Sequence, residues 1–295
     1  MTKASGHLSL PTPWQQVTPQ WCRDRNVELF IKRDDMIHPI ISGNKWRKLK
    51  GIVGKHNHFS KLITYGGAYS NHLVATAKYC QIAGVNCEGI VRGEKPKRLS
   101  TVLDLCSYYG MRLTFISRSE YREQCRTQGL VGDTLYVPEG GSADQGIEGC
   151  SEIITENMPE LDQLFVACGT GTTLAGLSLA KEENQLAMSL TGVSVLKSGE
   201  FLYRDIAELS PHNNFRLLLD YHFGGYAKTS IELMRFIQDF AIETNVLLDP
   251  IYTAKAAFAV KDLIIRDKLA AGSQIGLIHT GGLTGWYGKW TELLT

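Results

Sequence analysis

No window of the 295-residue chain approaches the roughly 20 apolar residues that a membrane-spanning helix needs. The opening MTKASGHLSLPTPWQ lacks the apolar stretch of a secretory signal. Charge of neither sign dominates: 31 Lys and Arg face 30 Asp and Glu, a net of +1. That balance argues against nucleic acid or an anionic membrane as the main partner. The seven cysteines are odd in number, scattered and free of any C-x-x-C pair. Such usage suits reduced thiols in the cytoplasm rather than a disulfide framework. Among the eight histidines only His56 and His58 are close. Their i, i+2 spacing puts them on different sides of a helix with no third ligand nearby, so no metal site is expected. There is no G-x-S-x-G hydrolase elbow, no repeat of fixed period and no low-complexity tract.

What is present is an alternation. Hydrophobic content of 43% and charged content of 21% belong to a soluble globular protein, long enough for one large domain or two ordinary ones. The opening stretch, with Pro11, Pro13 and Pro19, reads as extended chain over a surface. VELFIKRDD (27–35) reads as a strand running into a polar turn. Strands follow at 61–65, 87–91, 111–116, 134–138 and 161–168, and later in SLTGVSVL, NFRLLLD and QIGLIHT. Helices are expected at 70–83, 99–110, 144–157 and from about Thr172. Strand alternating with helix predicts an α/β fold of parallel sheets covered by helices, and the length suits two sheets.

Four glycine-rich corners stand where strands should end: YGGAYSNH (65–72), PEGGSADQG (138–146), CGTGTTLAG (168–176) and IHTGGLTG (278–285). Open α/β folds bind ligands outside the carboxyl ends of their strands, so four corners predict one crevice. CGTGTTLAG can aim several backbone N–H groups at one point, with a helix dipole behind them, as a nest for a phosphate. It is neither a Walker loop, having no Gly-Lys-Ser/Thr, nor a dinucleotide fingerprint, since Leu174 stands where a third glycine belongs. In YGGAYSNH, Ser70 and Asn71 suit helix capping or, alternatively, a ligand's carboxylate or ring. Tyr226 and Tyr252 would by default be packing aromatics. Another stretch, GNKWRKL (43–49), crowds Lys45, Arg47 and Lys48 together: either a solvated cationic face or the site of a chemical lysine.

In order, RDD with GNKWRKL, GGAYSNH, CGTGTTLAG, LDPIYTAK and HTGG resemble the 1-aminocyclopropane-1-carboxylate (ACC) deaminase and D-cysteine desulfhydrase family. These are pyridoxal-phosphate enzymes of fold type II, related to tryptophan synthase β. The resemblance covers most of the chain. It implies two open, twisted, mainly parallel sheets with flanking helices, and pyridoxal 5'-phosphate as cofactor. Residues 1–50 and 153–295 would form the larger domain, 51–152 the smaller, with the active site in the cleft between them. In the family's N-K-x-R-K-L motif the lysine after Asn carries the cofactor, which singles out Lys45. Only a neutral amine attacks an aldehyde, so this lysine should be withdrawn from water, with Arg47 and Lys48 also disfavouring its charge. Gly169, Thr170, Gly171, Thr172 and Thr173 match the phosphate loop. Asn71 matches the residue that bonds the phenolic oxygen, and Ser70 the serine beside the substrate carboxylate. Tyr226 and Tyr252 match two active-site tyrosines, and Thr280 the residue facing the pyridine nitrogen in the desulfhydrase branch. The deaminase branch has glutamate after the second tyrosine and leucine before Gly-Gly; here Thr253 and Thr280 stand there. A hydroxyl supports a protonated ring less than a carboxylate does, which favours β-elimination over cyclopropane opening. The resemblance therefore implies a D-cysteine desulfhydrase-like lyase acting on a small amino acid as a cytoplasmic homodimer. ACC deaminase, a racemase or dehydratase, or a non-catalytic anion-binding module are the alternatives.

Overall fold

A computed structural model describes residues 8–289 apart from 57, 155–157, 211 and 213. The chain passes through β1 (Trp14–Val17), a short helix α1 (Gln20–Arg23) and β2 (Glu28–Lys32) before entering α2 (Asn44–Gly54). Next come β3 (Lys61–Gly66), α3 (Asn71–Ala83), β4 (Asn86–Arg92), α4 (Thr101–Tyr108) and β5 (Arg112–Ile116). α5 (Arg118–Gln124), β6 (Gly129–Val131), β7 (Thr134–Val137) and α6 (Asp144–Ser151) follow. Then come β8 (Gln163–Cys168), α7 (Thr172–Glu183), β9 (Ser189–Ser194), α8 (Phe201–Leu209) and β10 (Arg216–Leu218). Last are α9 (Ile231–Thr244), α10 (Thr253–Ile265) and β11 (Gln274–Ile278).

Two sheets result, ordered β1-β2-β11-β8-β9-β10 and β5-β4-β3-β7-β6. All pairings are parallel except β1 with β2 and β6 with β7, both at sheet edges. The expected α/β fold with two mainly parallel sheets is therefore present. Parallel strands are buried on both faces, which is why they read as continuous apolar runs. In β8, Leu164 and Val166 enter one core with Leu174, Leu177 and Leu190, while Phe165 and Ala167 enter another with Leu29, Ile31 and Leu277. Period-two alternation thus feeds two layers from one strand. Phe165 is fully buried, and truncating it to alanine would cost about 3–5 kcal/mol.

The edges depart from expectation. The opening stretch is not merely extended: β1 pairs with β2, Trp14 against Lys32. The helix expected over 144–157 stops at Ser151, and 155–157 lie outside the described residues. There Ser151 Oγ donates back to the Glu148 carbonyl, and Ile153 and Ile154 close three-residue turns onto Cys150 and Ser151.

α2 runs across position 50/51, where a domain boundary was expected. Its Trp46, Leu49, Ile52 and Val53 join Leu62, Leu73, Val91 and Leu135 in the core beneath the smaller sheet. On its other side α2 meets α6, and α6 meets α7. Their backbones touch at glycine: a side chain on Gly51 would collide with the Gln145 carbonyl, on Gly149 with the Arg47 carbonyl, and on Gly176 with the Ile147 carbonyl. This seam ties the helix bearing Lys45 to the helix opened by Gly171.

Candidate active site

The carboxyl ends of β3, β4, β7, β8 and β9 converge on one cavity of about 880 Å³. Lys45, Ser70, Asn71, Gly169, Thr170, Gly171, Thr173, Tyr226 and Tyr252 line it. Thr280 lies in an adjoining crevice with Asn44, Lys45, Asn71, Tyr252 and Gly282. Thr172 is buried behind the cavity wall. All four glycine-rich corners therefore reach the same place.

Lys45 is set there by the entry to α2. Gly43 has φ +60 and packs against the Thr280 carbonyl, where any side chain would collide. The Gly43 N–H donates to the Asp34 carbonyl at 2.8 Å, and the Asn44 N–H to the Thr280 carbonyl at 3.3 Å. Asn44 Nδ2 donates to Thr173 Oγ1 at 2.9 Å, joining α2 to the CGTGTT corner, and Lys45 Nζ donates to Asn44 Oδ1 at 3.2 Å. Lys45 Nζ stands 6.0 Å from the centroid of the Tyr252 ring. Burial, and then the neighbouring Lys48 charge, bring its pKa down to about 7, with Asp249 acting in the opposite sense.

The three cations of GNKWRKL part company. Arg47 donates from Nε and Nη2 to both oxygens of Asp34, each at 2.8 Å, and Thr12 Oγ1 also donates to Asp34 at 2.6 Å. This buried bidentate pair neutralises the guanidinium, so Arg47 does not weigh on Lys45; that sequence expectation is corrected, and only Lys48 has the effect. Lys48 is buried beside Gly141, with Nζ donating to the Gly140 carbonyl at 3.1 Å and no carboxylate partner among the described residues. Burial lowers its pKa. Next to it lies His72, also lining the cavity. Thr64 Oγ1 donates its proton to the Val137 carbonyl at 2.9 Å, so His72 Nε2, 2.8 Å from Thr64 Oγ1, must donate to that hydroxyl. His72 Nδ1 is then a bare, buried acceptor with no partner among the described residues. Burial, followed by Lys45 and Lys48, holds this imidazole well below its ordinary pKa and hence neutral.

In the CGTGTT corner Gly171 has φ +80, and a side chain on it would strike Ile206. α7 starts there without a side-chain cap, leaving its first N–H groups open toward the cavity. Thr170 and Thr172 hydroxyls lie 3.1 Å apart, and Thr172 donates to Ser142 Oγ at 3.1 Å. Ser70 caps α3, accepting from the Leu73 N–H at 3.3 Å. Asn71 Oδ1 accepts from Thr284 Oγ1 at 2.6 Å, which fixes the amide's orientation. Tyr252 donates to the Tyr226 hydroxyl at 3.4 Å, with the rings edge to face. Burial first, then the other tyrosine, pushes the Tyr252 phenol well above its usual range. Thr253 and Thr280 hydroxyls lie 3.5 Å apart. Behind them Asp249, fully buried, accepts from the N–H groups of Ile251, Tyr252 and Thr253 and so caps α10.

A family model described as pyridoxal-phosphate dependent enzyme matches residues 10–281. The chain belongs to the pyridoxal-phosphate-dependent enzymes. This pyridoxal-phosphate enzyme is 33% identical to the bifunctional D-cysteine desulfhydrase/1-aminocyclopropane-1-carboxylate deaminase of Arabidopsis thaliana, over 89% of this chain and 74% of the relative. It is 29% identical to a putative 1-aminocyclopropane-1-carboxylate deaminase of Pyrococcus horikoshii, over 96% of this chain and 94% of the relative. A solved structure of an ACC deaminase homologue superposes with a TM-score of 0.82 at 28% identity, covering 97% of this chain and 94% of that one. The pyridoxal-phosphate enzyme therefore falls in the ACC deaminase and D-cysteine desulfhydrase family, and its cofactor is pyridoxal 5'-phosphate.

The residues present fit that group. An uncapped helix start, threonine hydroxyls and the unpaired Lys48 offer a phosphate site, and Lys45 offers an amine that loses its charge near neutrality. Sequence reasoning gave Lys48 only an influence on Lys45, with no part in holding the cofactor, and passed over His72 and Asp249. Lys48 was within reach, since it stands three residues after Lys45 on the same side of a helix.

Proposed function

We propose that this enzyme is a D-cysteine desulfhydrase-like lyase, taking the α-proton from a small amino acid and expelling a β-thiolate to give pyruvate, ammonia and sulfide. What carries this proposal is the Thr253–Thr280 pair, two hydroxyls 3.5 Å apart at positions where the deaminase branch has glutamate and leucine. The buried Asp249 behind the pair spends its oxygens on the N–H groups of Ile251, Tyr252 and Thr253, at the start of α10.

The bound cofactor supplies the electron sink for charge developing at Cα. Everything else falls to side chains. Lys45, with a pKa near 7, accepts the α-proton as a free amine and returns it at neutral pH. Gly169–Thr173 with Lys48 hold the phosphate, and Asn71, oriented by Thr284, holds the phenolic oxygen. Ser70 and the start of α3 receive the substrate carboxylate. Tyr226 and Tyr252 form a second proton station above Lys45. Thr280, backed by Thr253, faces the ring nitrogen. The active site lies in a cleft between two domains built on the two sheets. A cytoplasmic homodimer completes the proposal; the seven cysteines are all free thiols, as a reducing compartment requires.

The test is D-cysteine, L-cysteine, β-chloro-D-alanine and ACC at matched concentrations, with keto acid, ammonia and sulfide all measured. Turnover of D-cysteine and β-chloro-D-alanine well above that of ACC is expected. ACC turnover equal to or above D-cysteine would make the protein an ACC deaminase, the alternative its relatives' names support equally.

A further inference from the structure

The smaller sheet ends in a charge pair that cysteine chemistry does not need. Strands run in the order β4-β3-β7, all parallel, so their carboxyl ends face the cavity side by side. The middle one ends in Gly66 and Gly67. On one flank β4 ends in Arg92, and on the other the corner after β7 carries Glu139; both line the cavity. Two strand spacings put them roughly 10 Å apart at backbone level. Arg92 Nη2 lies 3.5 Å from where a Gly67 side chain would begin, directly beside the loop that leads to Ser70. Its guanidinium stands 5.5 Å from the centre of the Tyr121 ring. Neither Arg92 nor Glu139 forms an ion pair with the other or with any described residue. Tyr121 lies between them: Arg92 stands over its ring, and its buried hydroxyl, which makes no hydrogen bond of good geometry with a described residue, feels the Glu139 carboxylate, which adds to burial in pushing the phenol up. A cation and an anion, neither in a salt bridge among the described residues, are thus held apart on either side of Tyr121, facing one space.

A three-carbon amino acid has its one ammonium and one carboxylate engaged at the reacting end and leaves nothing for this pair. The cavity of about 880 Å³, which takes the cofactor as well as the substrate, runs on to Arg92 and Glu139. We propose that Arg92 and Glu139 form a subsite for a second amino-acid end, so that the enzyme takes thioether or disulfide amino acids whose leaving group is itself zwitterionic. Arg92 receives the distal carboxylate in a two-pronged contact, and Glu139 the distal ammonium. This rests on the β-elimination proposed above. The Cβ–S bond breaks with its electron pair leaving on sulfur, the α-proton is lost, and the thiolate is protonated. One water completes pyruvate and ammonia, and the other product is a thiol amino acid from a thioether or a hydropersulfide amino acid from a disulfide.

The experiment compares, on the holoenzyme, four β-substituted alanines of either hand. Lanthionine carries a distal zwitterion, S-carboxymethylcysteine a carboxylate only, S-aminoethylcysteine an ammonium only, and β-chloro-D-alanine neither. Wild type is expected to prefer lanthionine over both singly charged thioethers by about tenfold or more in kcat/KM, as one charged hydrogen bond allows. Arg92→Gln should raise KM about tenfold for lanthionine and S-carboxymethylcysteine, and Glu139→Gln for lanthionine and S-aminoethylcysteine, with kcat little changed. Neither variant should alter β-chloro-D-alanine turnover more than about twofold, and each should leave the melting temperature unchanged. Equal losses on all four substrates, or no preference for lanthionine, would overturn the subsite. Failure of β-chloro-D-alanine to react would sink the elimination proposal instead. Calorimetric binding of lanthionine then still decides the subsite: about tenfold weaker binding to Arg92→Gln supports it, and equal binding or none overturns it.

Discussion

Two sides of α2 treat buried positive charge in opposite ways. On one, Arg47 meets Asp34 through two hydrogen bonds of 2.8 Å, and hydrogen bonding and charge raise its pKa above the ordinary value despite burial. On the other, Lys45 and Lys48 face the cavity with carbonyl or amide oxygens for company, and burial drives both pKa values down. The same helix gives a locked charge in one case and a surrendered one in the other. What differs is the carboxylate. A buried cation with a bidentate anion is a strut; a buried cation without one is available for chemistry or for an anion that arrives from outside.

That contrast can be broken from either side. The largest effect belongs to Lys45→Ala: turnover should vanish while the protein stays folded, and borohydride trapping followed by mass spectrometry should find the pyridoxyl adduct on Lys45 in wild type and nowhere in the variant. An adduct on Lys48 or Lys255 would transfer the role. Arg47→Met comes next. It strands Asp34 as a buried, unpaired charge and should cost about 3–5 kcal/mol in urea unfolding. A loss below 1 kcal/mol would mean that the pair is not a strut. Lys48→Gln should leave the fold intact and the reaction type unchanged, yet weaken cofactor affinity by roughly tenfold to a hundredfold, the worth of one charge-assisted hydrogen bond. Unaltered affinity in equilibrium dialysis would remove Lys48 from the phosphate site.

The last is a pH dependence in cofactor-free protein. Folding moves Lys45 from 10.5 down to about 7. Between those values the unfolded chain holds a proton that the folded chain has released, so stability rises with pH across this window. Lys45→Met escapes the penalty. It should therefore exceed wild type most at or below pH 7, with the margin shrinking toward pH 10 in urea melts. A margin that grew with pH would show Lys45 to be stabilised in its charged form.

How much of this the sequence could reveal depended on the range of the interaction. Central strands were readable because residues such as 164–167 are buried on both faces and leave an unbroken apolar run. Helix starts were readable at Ser70, an N-cap, and at the glycine corners. β6 was not, since Leu130 and Val131 are exposed on an edge and resemble loop. α5 could have been found from its Ser117–Glu120 capping box. Arg47's fate was illegible: its partner lies 13 residues upstream across an irregular turn, and no periodicity links them. Asp249 likewise reads as a turn residue in LDPIY, and only the fold shows its carboxylate beneath the two threonines. The family motifs gathered these residues into one site without saying which cation serves structure.

The glycine seam between α2, α6 and α7 has a bearing on how this protein could be engineered. Replacing helical glycine by alanine is a standard route to sturdier proteins, gaining roughly 0.4–1 kcal/mol where space permits. Gly51, Gly149 and Gly176 all sit inside or beside good helical sequence and would top any such shortlist. Each has a carbonyl of the adjoining helix standing where the methyl would go. A library screened for thermal tolerance should therefore reject alanine at these three, and its pattern of rejection would trace the line along which the two sheets are riveted.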